Sequence, residues 1–115
     1  MRVTRVLNGA GDVVVERCFV ADRPWSRMRG LLGRSELPVG EGLFLKPCGS
    51  VHMFFMRFPI DVVFLDRELS VLAVRSEVRP WRTAGARGGK VVLELGAGEA
   101  ARLGIAPGIG LPLAA

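Results

Sequence analysis

The chain has 115 residues, half of them hydrophobic and 23% charged, with a net charge of +5. That balance suits one folded domain, 1–115, and excludes a disordered chain. No run approaches the roughly 18 apolar residues that a membrane span needs. The N-terminus, MRVTRVLNGAGDVVVE, has neither an uninterrupted hydrophobic region nor a small-residue cleavage site. No signal peptide is therefore expected, and a cytoplasmic location without membrane contact is the default expectation. Sixteen residues are Lys or Arg, and only Lys46 and Lys90 are lysines. The arginines are scattered, so the basic balance by itself reads as composition rather than as a polyanion site. Cys18 and Cys48 form no CxxC motif and are expected as reduced thiols.

Taken in chain order, residues 2–7 and 13–20 are rich in Val and flank Asn8-Gly9-Ala10-Gly11-Asp12, which is hairpin chemistry. Asp22 reads as a helix N-cap with Pro24 in the first turn. Over 23–32, Trp25, Met28 and Leu32 form one apolar stripe that Gly33 ends. Arg29 flanks that stripe, which makes it the helix charge expected to be partly buried. The Pro/Gly-rich turn 37–42 leads to a strand near 43–46. Further strands are predicted at 51–57 and 60–66, separated by Pro59, and at 69–78. Residues 79–89, RPWRTAGARGG, read as an exposed basic loop. KVVLEL (90–95) is a strand with Val91, Leu93 and Leu95 on one face. A helix of one or two turns is predicted at 98–103, and a short terminal strand after Pro107-Gly108. Short strands at close spacing with two small helices predict a mainly β fold, a compact antiparallel β-barrel or a jelly-roll-like sandwich.

The segments RMRGLLGR (27–34), GEGLFL (40–45), CGSVHMFFMRFPIDVVFLD (48–66) and VVLELGAGEAARLGI (91–105) occur in this order in one known family. Over about residues 20–110 the chain resembles the domain of unknown function 192 family, in its branch with an SxHxFFMRFPIDVVFLD core. The resemblance implies a β-rich fold of jelly-roll-like or barrel-like type, and it implies no activity, substrate or cofactor. The chain departs from the family pattern at Gly96, where Pro is usual, at Gly108-Ile109, where Gly-Asp is frequent, and at Leu32, commonly Met.

The stretch 48–66 concentrates the candidate chemistry. It contains the single His, one Cys, four Phe, two Met, one Arg and two Asp in an apolar run. Asp61 lies in a segment apolar on both faces, so its carboxylate is expected to be buried and paired with Arg29 or Arg57. Asp66 reads as a turn residue. Cys48, Ser50 and His52 share one parity, and a thiol beside an imidazole can act as a nucleophile. Their spacing in an extended chain makes direct contact between them uncommon. Three Cys and His in the whole chain fall short of a structural zinc set, so no metal and no cofactor are expected. Arg79, Trp81, Arg82 and Arg87 combine cations with a stacking ring, the chemistry of a nucleic-acid contact. A solvated loop with Trp81 packed onto the β-structure is the favoured expectation, and nucleic acid is not.

These readings converge on a non-enzymatic binding module for a small anionic ligand or a peptide segment. The expected site comprises His52, Phe54, Arg57, Asp61, Arg29, Arg34 and Cys48.

Overall fold

The computed structural model describes residues 2–29, 31 and 33–114. Strands β1 (Arg2–Leu7) and β2 (Val13–Ala21) pair antiparallel across the predicted turn. Asn8 organises that turn. Its Oδ1 accepts the N–H groups of Ala10 and Asp12 at 3.0 and 2.9 Å, and Gly11 takes φ +86°. Such an Asx-type turn lets a side chain satisfy backbone donors that the strands leave unpaired.

Helix α1 (Pro24–Arg29) follows. Its N-cap is Arg23 rather than the expected Asp22, and Ser26 at the third helical position supplies the capping bond. Ser26 Oγ accepts the Arg23 N–H at 3.2 Å and donates to the Arg23 carbonyl at 3.0 Å, the N3-to-cap half of a capping box. Residues 30 and 32, and with them the expected end of the apolar stripe, lie outside the described residues.

Strand β3 (Glu41–Leu45) pairs in parallel with β2, and β8 (Val91–Gly96) and β5 (Ile60–Leu65) complete the centre of the sheet. With β6 (Val71–Val78) at the far edge, the order is β1-β2-β3-β8-β5-β6. All pairs except β2–β3 are antiparallel. Every residue of β5 and of β8 is buried, because layers cover both faces of these central strands. One face carries Val15, Phe44, Val63, Leu65, Leu93 and Leu111 under helix α2 (Glu99–Arg102) and the C-terminal tail. The other carries Leu43, Leu45, Ile60, Val62, Phe64 and Val92. That second face is covered by Leu31, Leu37, Met53 and a separate two-stranded ribbon, β4 (Ser50–His52) with β7 (Thr83–Gly85). At Gly96 a Cβ would stand 2.6 Å from the Leu37 carbonyl oxygen, so only glycine lets this covering segment lie so close to the sheet.

The sheet is therefore sandwich-like, and the barrel alternative is corrected: β1 and β6 remain edges. The C-terminal tail spans the gap between them. The expected terminal strand is reduced to two bridges, Gly110 with Ser70 beside β6 and Leu113 with Val6 of β1. Two other boundaries also differ. The strand expected over 51–57 stops at His52, and the loop expected over 79–89 contains β7.

Asp61 is completely buried, and its partners are not those expected. Its Oδ1 accepts the Glu77 N–H at 2.8 Å and its Oδ2 accepts the Ala100 N–H at 2.9 Å. The first donor sits in a bulge of β6, where Ser76 and Glu77 both oppose Asp61 and Glu77 takes φ +52°. The second belongs to α2. Among the described residues no guanidinium pairs with Asp61, Arg57 is exposed, and the Arg29 side chain lies outside the described ones. One carboxylate thus ties β5 to a bulged edge strand and to a helix. Replacing Asp61 by Asn keeps the shape but turns an amide N–H towards one donor. Each buried N–H left unsatisfied costs about 1–3 kcal/mol. Asp61→Asn is expected to lower unfolding stability by about that amount in urea titration, with the denaturant slope unchanged.

Candidate functional site

The ribbon β4–β7 pairs Ser50 with Gly85, Val51 with Ala84 and His52 with Thr83. Alternation sends Val51 and Ala84 into the core layer and leaves Ser50, His52, Thr83 and Gly85 on the exposed face. These six residues line an open, shallow depression of about 400 Å³.

Just past His52 the chain turns on Met53. The Met53 side chain is buried, its N–H donates to the Arg82 carbonyl at 2.7 Å, and its carbonyl accepts the Trp81 N–H at 2.7 Å. Its carbonyl also accepts the Met56 N–H at 3.2 Å, closing a turn in which Phe55 takes φ +65°. Trp81, in the facing loop, takes φ +70°. Left-handed backbone is uncommon for bulky residues and costs about 1–3 kcal/mol where it occurs.

The consequence is a cluster of rings in solvent. His52 and Phe54 stack at 4.7 Å between centroids with planes 29° apart, and Phe54 and Trp81 at 5.9 Å and 28°. Phe55 meets Trp81 at 4.9 Å in a tilted arrangement. Phe54, Phe55 and Trp81 are 40%, 72% and 59% exposed, so Trp81 is not packed away as expected. Arg57, Arg79 and Arg82 are exposed in the same loops, and Arg87 is exposed just beyond the far end of β7. Residues 48–60 and 79–90 contain no Asp or Glu. Among the described residues the ion pairs are Arg5–Glu16, Arg34–Glu41 and Arg102–Glu99, so none neutralises these four arginines.

The expected site residues are therefore divided. His52, Phe54 and Arg57 belong to this surface. Cys48, half-buried, lies just before the ribbon, and its Sγ donates to the Ser50 carbonyl at 3.1 Å. His52 Nδ1 accepts the Phe54 N–H at 3.4 Å. Thiol and imidazole each make a hydrogen bond to backbone. Arg34 pairs with Glu41 at 3.0 Å and lies over the Phe19 ring at 5.9 Å, near the start of β3. Asp61 is sealed in the core, and the Arg29 side chain lies outside the described ones. Among the described residues no three His, Cys, Asp or Glu side chains converge as a metal ligand set. Cys18 is buried, and burial pushes its thiol up to about 12, which leaves it unreactive.

The sequence singled out Trp81 as a stacking ring beside Arg79, Arg82 and Arg87 but favoured its being packed away, whereas the ring is exposed; Glu94 was passed over altogether. Glu94 stands in β8 between Leu43 of β3 and Val62 of β5, on the Val92 face, and is 7% exposed. The shared parity with Val92 in a central strand was the available signal. Burial raises its carboxyl to about 7 from an ordinary 4.5. Since the folded-state value lies above the unfolded one, folding takes up a proton between these two values. This contribution to stability is complete below about pH 4.5, declines as pH rises and is lost above about 7. Glu94→Gln is expected to remove that decline. It should raise stability in slightly alkaline buffer by about 3 kcal/mol, the equivalent of the shift, with little change in acid. Urea titrations of both proteins across the pH range check this.

Comparison with known proteins agrees with this architecture. The chain is 36% identical over 90 residues to a UPF0127 protein of Thermococcus sibiricus, a match covering 73% of this chain and 57% of that protein. The chain thus spans little more than half the length of that relative. A protein of unknown function from Novosphingobium aromaticivorans, known from a crystal structure, superposes with a TM-score of 0.84 at 28% identity. That superposition covers 96% of this chain and 84% of the other. A proposed transcription regulator from Sinorhizobium meliloti superposes with a TM-score of 0.83 at 24% identity, over 96% and 92% of the two chains, and shows the shared fold alone. The pattern of the DUF192 family, described as uncharacterized ACR, matches residues 5–112, and the chain belongs to that family.

Proposed function

We propose that this domain is a binding module whose recognition surface is the ring-and-arginine platform around the β4–β7 ribbon. It takes an anionic ligand, small molecule or chain segment, that carries flat or apolar groups. The observation that carries this reading is the exposure of Phe54, Phe55 and Trp81 on loops that also hold Arg57, Arg79 and Arg82, which no described carboxylate pairs. Large exposed apolar groups rimmed by polar ones mark interaction sites. Trp and Arg are the side chains that most often dominate binding energy. Two of the rings are held out on left-handed backbone, so their exposure is built into the loops rather than left over from packing.

Two other concavities among the described residues differ in charge. Concavities beside Val3, Thr4, Arg5, Glu16 and Ala114, and beside Arg2, Val20, Asp22, Arg23, Trp25 and Ser26, mix acids with bases. They lack the one-signed charge of the platform.

The test is retention on heparin, a polyanion. Replacing Arg57, Arg79 and Arg82 by Gln removes three charges from the platform. Replacing Arg2, Arg17 and Arg67, all exposed on other elements, removes the same charge elsewhere. The platform variant is expected to elute at clearly lower salt than the control variant. Equal elution would show that only net charge matters and would remove the proposed site.

A further inference from the structure

We infer that the polyanion this platform accepts is single-stranded nucleic acid, with bases continuing the ring stack and phosphates held by the flanking arginines. The inference rests on the binding-module reading above and names its ligand class.

Three features point to this chemistry. The first is the parallel arrangement of the rings. His52, Phe54 and Trp81 form a column with successive planes within 29° and 28°. A column of flat faces extends by adding another flat ring, and every base offers one, which is why aromatic platforms bind single strands with little sequence preference. His52 is the open end of this column. One side of its ring is covered by Phe54, and the residue borders the depression lined by Ser50, Thr83 and Gly85. Gly85 adds no side chain to that floor, and the two hydroxyls offer donors to sugar or phosphate oxygens.

The second feature is the sign and type of charge. The two loops that hold the rings supply Arg57, Arg79 and Arg82 and no acid, and Arg87 follows at the other end of β7. Backbone hydrogen bonds at 2.7 Å from Met53 N–H to the Arg82 carbonyl, and from Trp81 N–H to the Met53 carbonyl, bind these loops together. The cations and the rings therefore form one surface. The planar fork of arginine matches phosphate oxygens in pairs. An acidic peptide would use the charge but leave the parallel ring faces without a matching partner.

The third feature is shape. The depression is open rather than enclosed, so it suits a chain that crosses the surface more than a small molecule that must be surrounded.

The experiment reads Trp81 fluorescence in a Trp25→Phe background, which leaves Trp81 as the sole indole. A short single-stranded thymidine oligonucleotide is titrated against an abasic deoxyribose-phosphate chain of equal length and against polyglutamate. The thymidine strand is expected to quench Trp81 saturably and to bind at least about tenfold more tightly than the abasic chain. Its log affinity should fall with log salt with a slope near −2, about three phosphate contacts at roughly 0.7 each. Phe54→Ala, at an exposed site, should weaken binding about tenfold without unfolding the protein. Equal affinity for the thymidine and abasic chains would overturn the nucleic-acid assignment while leaving a general anion platform standing. Binding of polyglutamate in place of the oligonucleotide would overturn it in favour of a peptide on the same surface. Binding of none of the three probes would overturn both readings.

Discussion

The architecture turns on a carboxylate placed where no solvent reaches it. Asp61 is the second residue of the fully buried strand β5 and binds two backbone N–H groups from elements 16 and 39 residues away. A charge taken out of water is tolerated only when its hydrogen bonds are made inside. Here both donors come from backbone that would otherwise be orphaned. Glu77 lies in a bulge whose N–H has no regular ladder partner, and Ala100 lies in a first helical turn, where N–H groups have no intrahelical acceptor. The carboxylate and the two irregularities therefore stabilise one another. Removing any one of the three would leave an unpaired buried group in the other two.

This lock has a directional consequence. It fixes α2 over one face of the sheet, where it joins the C-terminal tail in covering the Phe44, Val63 and Leu93 layer. The opposite face must then be covered by what remains: Leu31, Leu37, Met53 and the two-stranded ribbon. A ribbon of three-residue strands offers little apolar area of its own. It is held by Val51 and Ala84 beneath it and by Met53 at its end. Chemistry that needs solvent access is thereby displaced from the sheet, whose central strands are buried on both faces, to the ribbon and its loops.

Much of the framework was legible in the sequence because its signals are local. The Val-rich strands, the Asn8–Asp12 turn and the continuous apolar run of β5 each follow from residue type and period. The failures share a different cause. In VHMFFMRF the Val and Phe residues favour a strand, yet the chain turns at Met53–Met56 because distant groups, the Arg82 carbonyl and the Trp81 N–H, take up Met53's backbone bonds. A long-range partner leaves no local mark. The same holds for Asp61, whose need for a partner was readable but whose partners are backbone groups that carry no residue-type signature. Glu94 was missed because KVVLEL reads as a one-sided strand, whereas a central position buries both sides. Of the expected site, His52, Phe54 and Arg57 were found together because they lie on one short segment. Trp81 was legible as a stacking ring among arginines, but its meeting with Phe55 follows only from the contact between the loops of 53–58 and 79–82.

Met53 explains why those rings face outward. Its side chain fills the core beneath the ribbon while both of its backbone polar groups are bound across the loops. Of the residues that follow, Met56 and Phe58 pack against the same layer, whereas Phe54 and Phe55 are exposed. Phe54 and Phe55 are directed to the surface by the turn at Met53–Met56, and the left-handed conformation of Phe55 completes it. Trp81 is drawn to them because its N–H is already held by the Met53 carbonyl. Ring stacking then recovers part of the apolar contact denied by the core, about 0.5–1.5 kcal/mol for each pair. A ring cluster whose loops are already tied by backbone hydrogen bonds needs less further ordering on binding than free loops would. That is the condition under which a small, shallow surface can hold a partner at useful affinity.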